Sequence, residues 1–126
     1  MTSPTQKLLA EGLGTAVLIV AVIGSGIMAQ TLTQDIALVL LANTIATGAT
    51  LLVLITIFEP LSGAHFNPAV TLVMVLRGHF GWQLALAYVG AQIIGGALGV
   101  LIAHSMFELP LLQFSTHIRT GSAQWF

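Results

Sequence analysis

Leu61-Ser62-Gly63-Ala64-His65-Phe66-Asn67-Pro68-Ala69-Val70-Thr71-Leu72-Val73-Met74-Val75-Leu76-Arg77 is the stretch that decides how this chain is built. Its first seven residues read as irregular backbone. Pro68 then suits the first turn of a helix, where a missing N–H costs nothing. Asn67 stands where an N-cap would stand. A helix from Pro68 to Arg77 has ten residues and would be roughly 15 Å long, about half a bilayer. Apart from Thr71, residues 69–76 are apolar all round, which argues against a helix lying on a membrane surface. The expected element is therefore a re-entrant segment over residues 61–77.

The flanks supply the rest of the membrane. Leu8 to Met28 is a 21-residue apolar run interrupted only by Glu11, and at ~1.5 Å per residue it reaches across the hydrocarbon core. A secretory signal would ask for an apolar core of only ~7–15 residues and a small-residue cleavage site; this run is longer and carries an acid. Gln30 to Asp35 reads as a short polar turn. Ile36 to Phe58 is a second charge-free run, with Glu59-Pro60 expected to end it because proline disfavours helix at the residue before it. A third run extends over residues 81–105, starting at or just after Phe80, and Glu108-Leu109-Pro110 closes it. Residues 106–126 are expected to form a C-terminal loop.

Composition agrees. Of 126 residues only three are Lys or Arg and four Asp or Glu, 56% are apolar, and the mean hydropathy is +1.00. A water-soluble globule needs a charged surface that this chain cannot supply, so a soluble enzyme, a disordered tail and a nucleic-acid binder are excluded. No cysteine is present, which removes disulfides, thiolate metal sites and cysteine nucleophiles. The four histidines, at 65, 79, 104 and 117, show no metal-ligand spacing. Lys7 and Arg77 fall on one side of the expected topology and Arg119 on the other, a two-to-one bias that sets the N-terminus in the cytoplasm.

Ser62-Gly63-Ala64-His65-Phe66-Asn67-Pro68-Ala69-Val70-Thr71 resembles the first signature loop of the aquaporin, or major intrinsic protein, family. Ala10-Glu11-Gly12-Leu13-Gly14-Thr15 resembles that family's first helix, although the family usually has an aromatic where Gly12 stands. Ala91-Gln92-Ile93-Ile94-Gly95-Gly96 resembles its third helix. The resemblance implies an all-α membrane protein with three transmembrane helices plus one re-entrant half-helix. That is one inverted repeat of a fold built from two such halves, each with an Asn-Pro-Ala half-helix. The second Asn-Pro-Ala, and the arginine that follows it in the family's filter, are absent here.

The implied activity is passive permeation of water or small neutral solutes, in a pore formed when half-repeats assemble. The alternative is a non-conducting scaffold or a fragment of a full-length channel. The resemblance implies that Gly63, Ala64 and His65 turn backbone carbonyls toward the lumen, since irregular backbone at membrane depth is tolerated only beside a wet cavity or within protein. Asn67 can offer N–H donors at the midplane while capping the half-helix that Pro68, Ala69 and Val70 begin. The N-terminus of that helix carries about half a positive charge, which opposes cations and protons. Val70 leaves a passing solute few other partners. His65 is expected to orient the loop through a hydrogen bond. Thr47 resembles the family's second-helix filter position, where strict water channels carry a bulky aromatic. A threonine there suggests a wider, more polar opening that admits glycerol, urea or metalloid hydroxides. It could equally satisfy its own helix backbone.

Glu11 is costly inside a span and so a functional candidate by default. It is expected to brace the signature loop of an opposite half, and, with that half absent from this chain, to be protonated or paired across an interface; otherwise it sits hydrated at the membrane edge. Ala91, Gly95 and Gly99, and Ala42 and Ala46, recur at intervals of four, a spacing that lets helices approach closely in lipid. No bond is made or broken, so no enzyme activity, cofactor or metal is expected. The expected partners are lipid, the solute, and either further copies in a homo-oligomer, antiparallel ones included, or a complementary half-channel. The expected location is a bacterial inner (plasma) membrane.

Overall fold

The computed structural model describes residues 2–113. His117, Arg119 and Trp125 lie outside the described residues. Four helices follow in order: α1 (Pro4–Leu32), α2 (Ile36–Ser62), α3 (Pro68–Leu76) and α4 (Trp82–Met106). Three of them are long and apolar enough to cross a membrane. The nine-residue α3 is too short, as its sequence required.

Helix α1 is longer than the apolar run that announced it. Ser3 and Gln6 form a capping box, the Ser3 hydroxyl accepting from the Gln6 N–H at 3.2 Å and the Gln6 side chain accepting from the Ser3 N–H at 2.8 Å. With Pro4 at the first helical position, the start moves outward to residue 4. At the other end the helix runs on to Leu32, so the polar turn shrinks to Thr33–Asp35. Asp35 caps α2 by accepting from the Ala37 and Leu38 N–H groups at 2.9 and 3.3 Å.

The stop expected at Glu59-Pro60 does not occur: α2 continues through Pro60 to Ser62. Proline there removes a single donor, the one due to the Thr56 carbonyl. The turn beyond it is held by Gly63 N–H on the Glu59 carbonyl at 3.0 Å and by the Tyr88 hydroxyl on the Ser62 carbonyl at 2.8 Å. Gly63, at φ +89°, ends the helix in the left-handed region that glycine tolerates.

Helix α1 packs against both α2 and α4, and α3 lies on α4. Gly12 meets Ala91 and Gly95, Ala16 meets Gly99, and Gly24 meets Phe107. Contacts ascend together along both chains, so α1 and α4 run in the same direction. The approach is backbone to backbone. A Cβ on Gly95 would fall inside the Gly12 carbonyl oxygen, and one on Gly99 would stand 2.6 Å from the Ala16 carbonyl oxygen. The small-residue spacing on α4 is thus explained by α1. On α2, Ala46 faces α1 beside Val20, Ala21 and Gly24, whereas Ala42 is exposed. A second link between these helices is polar: the Asn43 side-chain amide donates to the Val22 carbonyl at 2.6 Å and to Ser25 at 3.1 Å. Most of α2 and the outer face of α3, including Val70, Leu72, Val73 and Leu76, is exposed apolar surface.

Candidate functional site

The segment between α2 and α3 is five residues long, Gly63 to Asn67, and is built of unusual backbone. Gly63, Ala64 and Phe66 have φ of +89°, +50° and +48°. For the two non-glycine residues this costs on the order of 1–3 kcal/mol each, so something must hold them.

That something is Glu11. It is fully buried, and four donors converge on its carboxyl group. The Ser62 hydroxyl and the His65 N–H reach Oε1 at 2.6 and 3.0 Å. The Phe66 N–H and the Gln92 side-chain amide reach Oε2 at 2.7 and 2.8 Å. Ser62 in turn accepts from the Ala64 N–H at 3.1 Å. Three successive loop N–H groups are therefore collected on one side by the carboxyl group and its serine neighbour, in the manner of an anion-binding nest. The expectation that Glu11 braces an opposite half is corrected here. It braces the loop of its own chain, as an acceptor of four hydrogen bonds. Nor is it a hydrated residue at the membrane edge. The reason is the parallel packing of α1 and α4, which brings Glu11 and Gln92 to the same level beneath the loop.

A second set of bonds fixes the start of α3. Asn67 Oδ1 accepts from the Ala69 N–H at 2.8 Å, the N-cap role its position required. The buried Thr71 hydroxyl donates to the Asn67 carbonyl at 3.2 Å. It accepts from Gln92 Nε2 at 3.1 Å and lies 3.0 Å from His65 Nδ1. The His65 ring is thereby tied to the first turn of α3. Its ring packs against Phe80 and Tyr88 at centroid distances of 5.1 and 5.3 Å.

The loop sorts its polar groups. Its N–H groups point inward, to Glu11 and Ser62. Among the described residues, nothing donates to the carbonyls of Gly63, Ala64 or His65, or accepts from the Asn67 side-chain amide. Gly63, Asn67, Pro68, Ala69 and Val70 are exposed, Ala64 is half-buried, and the His65 side chain is turned in. Seven of the eight residues expected around a passage are thus contiguous, and five of them are exposed.

Thr47 stands apart from them, 15 residues before the end of α2, or roughly 22 Å along the helix axis. Its hydroxyl is buried and has no hydrogen-bond partner. The reading in which it satisfies its own helix backbone is corrected. Thr44 and Thr56 do that, donating to the carbonyls four residues earlier, both at 2.8 Å, and Thr47 does not. Several contributors escaped the pattern reading. Ser62, Thr71 and Gln92 lay inside quoted motifs without a role, and Tyr88 lay outside them. A buried glutamine in an otherwise apolar span was the signal available for Gln92.

In sequence the chain is similar to longer proteins. It is 58% identical over 121 residues to aquaglyceroporin AqpS of Rhizobium meliloti (strain 1021), covering 96% of this chain and 52% of that protein. Aquaporin NIP1-2 of Arabidopsis thaliana is 40% identical over 82% of this chain and 35% of its own length. Aquaglycerol porin AQY3 of Saccharomyces cerevisiae (strain ATCC 204508 / S288c) is 34% identical over 88% of this chain and 17% of its own. The chain spans about half the length of the first of these relatives and less of the others. A family model described as Major intrinsic protein matches residues 1–124; with that match, and with an all-α half-repeat of three long apolar helices and one half-helix, the chain belongs to the major intrinsic protein family.

Proposed function

We propose that the chain is half of a passive channel for water and small neutral solutes, glycerol, urea and metalloid hydroxides among them, and that it conducts when two half-repeats close around the exposed face of the loop. The observation that carries this is the sorted polarity of residues 63–67. Unpartnered carbonyls and a free asparagine amide stand side by side at the N-terminus of a half-length helix, with every loop N–H from Ala64 to Phe66 engaged elsewhere. A hydroxyl-bearing solute finds there an acceptor row and then a donor. The helix terminus adds about half a positive charge, against cations. No residue is asked to act as nucleophile or base, and the activity is not enzymatic. Thr47, as the second-helix filter residue, sets the width of the opening, and the names of the relatives as aquaglyceroporin and aquaglycerol porin support a passage wider than water.

The partner half is a second copy, antiparallel to the first in a homo-oligomer, or a separate complementary half-channel. The whole chain acts as one unit, N-terminus in the cytoplasm, in a bacterial inner membrane. The exposed apolar surface of α2 and α3 is open to lipid or to a second half-repeat, and a non-conducting scaffold, or a fragment of a longer channel, would present the same surface.

Stopped-flow light scattering on proteoliposomes separates these readings. A channel shrinks faster than empty vesicles under an osmotic step, and Asn67→Asp slows it, because a carboxylate in place of the amide removes the donor and attracts the cations that the site excludes. Shrinkage equal to empty vesicles at verified incorporation establishes the scaffold reading.

A further inference from the structure

We propose that Gly14 and Phe66 are a positioning pair: the ring of Phe66 sits in the notch left by the absent Gly14 side chain, and this seat fixes where the Asn67 amide stands. The inference rests on the channel reading for its effect on permeation, and on geometry alone for its effect on the loop.

Glu11 and Gly14 are three residues apart on α1 and so share a face. One turn of helix therefore grips residue 66 twice. Its N–H is held by the Glu11 carboxyl group at 2.7 Å, and its ring lies over Gly14. A Cβ at position 14 would stand 2.6 Å from both Cδ1 and Cζ of Phe66 and closer still to Cε1. The ring has no room to retreat. Phe66 is 4% exposed, and Phe58 of α2 meets it edge to face, with centroids 5.8 Å apart and planes at 85°. Its backbone is already at φ +48°, where a side chain tolerates little further adjustment. A ring displaced by a methyl group would carry its Cα with it, and the next residue is Asn67. The bulk of residue 14, buried in α1 and touching no solute, thereby acts on the exposed amide.

The test uses the full chain in liposomes, with three proteins: wild type, Gly14→Ala, and Gly14→Ala combined with Phe66→Leu. Leucine lacks the Cε and Cζ atoms and can rotate its methyl groups off the new Cβ. Two quantities are read: the ratio of glycerol to water permeability, and hydrogen exchange at the His65 and Phe66 amides, both bonded to Glu11. Gly14→Ala should change the ratio by about fivefold and lower protection at these amides by about tenfold, the scale of one overpacked methyl group. Adding Phe66→Leu should return both toward wild type. Simple loss of folded protein would lower the two permeabilities together and leave their ratio alone. If Gly14→Ala does not insert, insertion restored in the double variant supports the pair. Wild-type values in Gly14→Ala, or a double variant as defective as the single one, overturns it. Should wild type itself carry no flux, the channel reading fails and the exchange measurement still decides the pair.

Discussion

Replacing Glu11 by glutamine tests the brace with one atom. The carboxyl group accepts from Ser62, His65, Phe66 and Gln92 at 2.6, 3.0, 2.7 and 2.8 Å. An amide in its place keeps one oxygen, which can still serve Ser62 and the His65 N–H. Its nitrogen then faces two donors. Gln92 can adapt, because among the described residues its own Oε1 is buried and has no partner: turned over, its side-chain oxygen accepts from the new nitrogen. The Phe66 N–H has no such remedy. It loses its hydrogen bond to the carboxyl group and is left buried and unpaired, about 3 kcal/mol, or roughly a hundredfold in the population of the docked loop. Hydrogen exchange in nanodiscs reads this residue by residue. In Glu11→Gln, protection at the Ala64, His65 and Phe66 amides should fall about a hundredfold while mid-α4 amides stay as they were. Glu11→Ala, which orphans all four donors, should fall further. Loop protection within about threefold of wild type in Glu11→Gln would refute the reasoning, for the left-handed residues would then be held by something other than this carboxyl group.

Two further outcomes follow from single contacts. Thr47→Val removes a buried hydroxyl that has no partner and should raise the unfolding midpoint in detergent, by about 1 kcal/mol in stability; a lowered midpoint would mean that the hydroxyl has found a partner in the membrane. Gly95→Ala inserts a methyl group into the Gly12 carbonyl and should cost about 1–3 kcal/mol by overpacking, seen as a lower midpoint and faster exchange along α1; an unchanged midpoint would show that α1 and α4 are not held backbone to backbone.

The helices were legible because their causes are local. Apolar runs of bilayer length, the Asn67-Pro68 start and the eight apolar or hydroxyl-bearing residues after it each specify an element without help from elsewhere. What escaped was long-range. Glu11 is 51 residues from Ser62 and 81 from Gln92, and only the parallel course of α1 and α4 brings them together. A reading along the chain could see that the acid was expensive and could not see where its donors were. Pro60 failed as a stop for a related reason: its local rule was overridden by a tyrosine 28 residues later in the sequence, whose hydroxyl satisfies the carbonyl at the end of α2. Thr47 remains the residue on which sequence and geometry meet least, since its buried hydroxyl has no partner among the described residues.

Because the acid lies in α1 and its donors lie much later, the order in which the ribosome delivers them matters. Glu11 enters the bilayer while Ser62 and Gln92 have not yet been made, at an insertion penalty below the about 2.5–3.5 kcal/mol of an acid at a helix centre, since it is the eighth of the 29 residues of α1. The remaining residues of α1, whose mean hydropathy over its most apolar window is 2.1, must carry that debt alone until α4 arrives. The surplus greasiness of the first span is thus a requirement of its biosynthesis, and polar substitutions along α1 that leave the finished protein intact should still impair its delivery to the membrane.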